Sequence, residues 1–78
     1  MSNLNTVTQL TANIDSIRAH VESVRSEMGD AWAAEQLSYH EGRIVEAIEE
    51  YINTFPTAPE ALKSGIRTNL LKQANITR

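Results

Sequence analysis

His20 and His40 are the only imidazoles in this sequence, and no cysteine accompanies them. A helical metal site needs ligands about one turn apart, so that two side chains converge on one ion. His20 is flanked at that spacing by Ser16 and Val24, and His40 is followed by Ile44. A zinc ion would therefore have to recruit carboxylates from elsewhere. Ser38-Tyr39-His40 gathers a hydroxyl, a phenol and an imidazole, but adjacent helical side chains diverge by about 100°, which is no arrangement for a nucleophile and its base. Glu46 and Glu50 sit at i,i+4 with Glu49 between them. Without a cleft or a third convergent group, this cluster reads as a solvated face. Gly29, Gly42 and Gly65 are isolated, so no glycine-rich loop cradles a phosphate. The expectation is a protein with no catalytic residue, no metal site and no cofactor, and hence not an enzyme.

Contact chemistry is better represented. Trp32 and Tyr39 are seven residues apart, which places them on one helical face, and Arg43 follows Tyr39 at i+4. Tryptophan, tyrosine and arginine dominate the energetics of protein interfaces, so these three are the expected partner-binding residues. Lys63 and Arg67 join them as cations on the flank of a later helix. Charge is unevenly placed: residues 1–60 hold all ten acids against three arginines, a net −7, whereas residues 61–78 hold four cations and no acid. A basic end of this kind suits ordinary helix-end electrostatics, or contact with an acidic partner surface or nucleic acid.

The elements that must position these residues follow from periodicity. Val7, Leu10, Ile14, Ile17, Val21, Val24 and Met28 recur at alternating spacings of three and four, a heptad pattern with Val7, Ile14, Val21 and Met28 at a and Leu10, Ile17 and Val24 at d. The helix starts near Asn3 or is capped at Thr6. It stops at Gly29, with Asp30 placed to cap the next helix, the rival being unbroken continuation through Gly29 into one very long helix. A second stripe, Ala33, Leu37, His40, Ile44, Ile48, Tyr51 and Phe55, runs to Pro56, which ends it. A very tight connection at Gly29-Asp30 makes the two helices antiparallel neighbours, with facing residue numbers adding to about 58–62. This register sets Val24 on Leu37, Ile17 on Ile44, Leu10 on Ile48 or Tyr51, Leu4 on Phe55, and Arg25 near Glu35. Thr57-Ala58-Pro59-Glu60 has the pattern of a helix start, with Thr57 as cap. Leu62, Ile66 and Leu70 then mark one face of a third helix that frays near Ala74-Asn75. The expected fold is all-α: an antiparallel hairpin (about 4–28 and 31–54) and a shorter helix (about 58–74), as a three-helix bundle or a dimeric assembly, in one domain over residues 1–78.

Two residues in the second stripe carry open alternatives. His40 is either a boundary histidine bonded across the hairpin or a pH-sensitive contact layer. Gly42 is either tolerated, at roughly 1 kcal/mol relative to alanine, or marks the close approach of another backbone. A hairpin with a tryptophan beside its turn resembles, in coarse pattern, the WXG-type helical hairpin proteins. Trp32 is followed here by Ala33-Ala34, so the resemblance implies nothing for the site.

Leu, Ile, Val and Phe make up 18 of 78 residues, which clears the roughly 20% level below which chains stay disordered. Without disulfides or metals to supplement so small a core, association is the remaining device, and a homodimer is one expectation. The start of the chain has no basic stretch leading into an apolar run, and no segment has the length of a membrane span, so a cytoplasmic location is expected. The long, acidic second helix disfavours direct nucleic-acid binding, because it would repel phosphates. The functional expectation is a small non-enzymatic adaptor or inhibitor that binds another protein through helical surface, as accessory proteins of phages or mobile elements do. A self-associating scaffold is the second expectation, and a nucleic-acid-associated regulator or acidic nucleic-acid mimic the third.

Overall fold

A computed structural model describes residues 3–77. Among them are three helices, α1 (Leu4–Met28), α2 (Asp30–Ile52) and α3 (Glu60–Gln73), the first two forming a long antiparallel pair. Arg78, one of the cations of the basic segment, lies outside the described residues.

Helix α1 begins at Asn3, whose Oδ1 accepts the Thr6 amide at 3.0 Å and so satisfies one of the free donors of the first turn. The whole connection to α2 is Gly29. Its φ of 94° and ψ of 157° belong to a region that only glycine occupies without strain. The Gly29 N–H donates to the Arg25 carbonyl at 2.8 Å, and the Gly29 carbonyl accepts the Ala33 amide at 3.1 Å. Asp30 is thus the first residue of α2 rather than its cap. Its carboxylate instead lies 3.8 Å from Arg25. Arg25 turns toward Glu22 and Asp30, not toward Glu35. The Arg25 Nε is 3.0 Å from the Glu22 carboxylate but off the line of its N–H, a charge contact without a hydrogen bond.

The hairpin seam uses only part of each stripe. On α1 the a residues Val7, Ile14 and Val21 are buried, while Leu10, Ile17 and Val24 are only partly so. On α2 the buried set is Ala33, Ile44, Ala47, Ile48 and Ile52. α1 is rotated so that its a positions point into the seam, while its d positions lie at the edge of the seam, where the partner helix covers them incompletely. The expected Leu4–Phe55 layer is not buried: both side chains remain exposed, and Phe55 meets Tyr51 edge-on, with ring centroids 5.2 Å apart. No described atom outside the helix stands within 4 Å of a Cβ built on Gly42, so α3 does not bring its backbone close there.

Helix α3 is not capped by Thr57. Successive turns occupy 53–58, and Pro59, with extended ψ of 147°, receives the Leu62 and Lys63 amides on its carbonyl. Nor does the helix fray at its end. Asn75 takes the left-handed conformation, φ 56°. The Ile76 amide reaches back to the Leu71 carbonyl at 2.9 Å, and the Asn75 amide to Lys72 at 3.0 Å. This is a Schellman termination, and its usual apolar contact is present, because Leu71 and Ile76 are both buried. Leu71, Ala74 and Ile76 thereby join Val7, Ile14, Ile44, Ala47, Ile48 and Ile52 in one core. The molecule measures 48 × 21 × 17 Å.

Candidate functional site: the uncovered face of the hairpin

Helix α3 runs back along α2 from the open end of the hairpin, and its charged contacts fix which side it covers. Arg67 of α3 binds Glu49 of α2 twice, Nε to Oε2 at 2.6 Å and Nη2 to Oε1 at 3.0 Å. Farther along, Arg18 of α1 donates to the Asn75 carbonyl at 3.2 Å and reaches Glu41 of α2 at 3.5 Å and Asp15 at 3.3 Å. One arginine thus joins both hairpin helices to the end of α3. These contacts stop at Glu41, well short of the Gly29 turn.

At 100° per residue, Arg43 lies about 120° and Tyr39 about 80° around α2 from Glu49, the α2 residue that α3 binds, and both side chains are exposed. Arg43 is exposed and lines a shallow groove with Thr6, Leu10, Glu46, Ala47 and Glu50, to which α3 contributes nothing. Tyr39 is 61% exposed, and its ring meets His40 edge-on at 5.0 Å. His40 thus meets an aromatic neighbour of its own helix, and among the described residues no hydrogen bond carries it across the hairpin. Trp32, one heptad before Tyr39, is partly buried. On α1 the partly buried Leu10, Ile17 and Val24 form the matching row. The uncovered face is thus a strip of two parallel rows, aliphatic on α1 and aromatic-polar on α2.

Lys63 and Arg67 belong elsewhere. Lys63 is partly buried near the start of α3, and Arg67 is committed to Glu49. The structure therefore brings Trp32, Tyr39 and Arg43 onto one side and keeps the two α3 cations apart from them. The Arg67 hydrogen bonds hold the Glu49 carboxyl below its ordinary range. Partial desolvation opposes this, and the attraction of the two charges adds to it. No group of three or more His, Cys, Asp or Glu side chains among the described residues is placed to hold a metal ion. No helix among them is long and apolar enough to cross a membrane.

Arg18, Glu49 and Ile76 organise α3, and the periodicity of the sequence marks none of them. For Ile76 a usable signal exists: an asparagine immediately before an apolar residue five positions beyond Leu71 fits the Schellman spacing. Comparison of the chain with protein-family models, with curated proteins and with solved structures finds no match.

Proposed function

We propose that this chain is a small non-enzymatic interaction protein, an adaptor or inhibitor, whose working surface is the uncovered face of its hairpin. The observation that supports the reading is the one-sided placement of α3. It protects the Glu41–Glu49 side of the hairpin and leaves Trp32, Tyr39 and Arg43 beside a row of incompletely buried aliphatic side chains. Aromatic and arginine anchors over partly buried aliphatic surface are the composition of an interface centre. The acidic charge of the first two helices directs the choice of partner toward protein rather than nucleic acid.

Affinity capture with a tagged chain tests the proposal, comparing the wild type with the double variant Trp32→Ala, Tyr39→Ala. A specific polypeptide retained by the wild type and lost by a folded double variant is the expected outcome. A partner retained equally by both moves the working surface away from this face. The self-associating reading also has an observation behind it. The chain exposes 5321 Å², against about 4,700 Å² for a compact folded chain of this mass.

A further inference from the structure

We propose that the uncovered face is occupied by a second copy of this chain, packed antiparallel about a two-fold axis passing between the two Ile17 side chains. The inference rests on the reading of that face as an interaction surface and takes its occupant to be a second copy of the chain in place of a different protein.

Three features carry it. The first is shape: at 48 × 21 × 17 Å the hairpin is elongated, and it exposes about 600 Å² more than a compact chain of its mass. The second is the spacing of the aliphatic row. Leu10, Ile17 and Val24 are evenly spaced, so reversing one helix about Ile17 sets Ile17 on Ile17 of the second copy and Leu10 on its Val24. The third is the α2 row. Because Gly29 alone joins the helices, residue 41 of α2 lies level with Ile17, as the Arg18–Glu41 contact confirms. The same axis then exchanges Tyr39 with Arg43, so that each ring receives the guanidinium of the other copy, an arrangement in which cation and aromatic face attract. Gln36 falls opposite Glu46, and no pair on this row sets like charges together.

The other two-fold arrangement, with its axis along the helices, stacks α1 on α2 of the second copy. That sets the Ile17 row against Arg43 and Glu46, burying charge against aliphatic side chains without a partner. Reversal about Ile17 keeps like with like, aliphatic on aliphatic and aromatic on cation.

The absence of cysteine makes the test direct. Sedimentation equilibrium on the full chain reads the mass, and single-cysteine variants read the geometry through disulfide formation, which requires Cα atoms within about 7 Å. The expected results are a mass twice 8.7 kDa, ready oxidative cross-linking of Ile17→Cys with itself, and cross-linking of Leu10→Cys with Val24→Cys chiefly when the two are mixed. Ser23→Cys, on the far side of α1, stays uncross-linked. Ile17→Glu weakens association by roughly tenfold or more. Should that variant lose its helical circular dichroism, the exposed Arg43→Glu serves in its place with the same expectation. A chain that remains monomeric up to millimolar concentration overturns the second copy and leaves the face to another protein. Leu10→Cys cross-linking fastest with itself also overturns the antiparallel arrangement. A dimer unaffected by either charge variant places the contact elsewhere and overturns both this inference and the reading of the face.

Discussion

Arg67 grips Glu49 with two nitrogens on two oxygens, the ion pair between α2 and α3 among the described residues. Glu49 has a folded-state pKa below its unfolded value. The stabilisation it contributes is therefore complete above the ordinary glutamate range and is lost as pH falls through the lower, folded value. Acid titration followed by circular dichroism should show the wild type losing stability in that acidic window, with Glu49→Gln showing a flatter profile. Both side chains are about two-fifths exposed, so the effect at neutral pH is small and should shrink further in about 1 M salt.

Arg18 closes a three-way junction of α1, α2 and the end of α3. Replacing it with alanine should cost about 1–2 kcal/mol, from two or three lost hydrogen bonds to a partly buried group. Hydrogen exchange should locate the loss: the Ile76 amide, bonded to the Leu71 carbonyl, should exchange faster, while amides near Gly29 are unchanged.

The three glycines should respond in opposite senses to alanine. Gly29→Ala meets no steric obstacle but must adopt a positive φ, which costs about 1–3 kcal/mol. Gly42→Ala and Gly65→Ala lie in open space within helices and should each stabilise by up to about 1 kcal/mol. Thermal midpoints of the three variants decide the matter.

Ile48 is fully buried, whereas Ile17 is not. Ile48→Ala should cost about 2–5 kcal/mol, a large share of the roughly 4–12 kcal/mol expected for a chain of this length. Ile17→Ala should cost clearly less in dilute solution. If the two variants unfold at the same urea concentration, Ile17 is buried in the species being measured.

The helices, their order and the antiparallel hairpin were legible from periodicity, because Val7, Ile14 and Val21 alternate with a second apolar edge and Gly29 interrupts both stripes. Which edge lies inside was not legible. A heptad offers both its a and d positions to a partner, and which of Ile14 and Ile17 points inward depends on how α1 is rotated against α2, which no local signal encodes. Thr57 fitted a capping pattern that lost to the turns preceding Pro59. The end of α3 was not legible, because Ile76 stands alone outside any stripe and its burial depends on the left-handed turn at Asn75. Trp32, Tyr39 and Arg43 share a face by spacing alone, but only the one-sided docking of α3 shows that this face is the uncovered one.

The one-residue connection at Gly29 has a further consequence for how the molecule tolerates change. With no slack between α1 and α2, it acts as a phase lock. One residue inserted there advances α2 by about 100° about its own axis, taking Ile44 and Ile48 out of the seam and swinging the aromatic row toward α3. A conventional loop would absorb such an insertion without altering either helix. Here the length of the joint, more than its composition, determines which side of the protein faces the world.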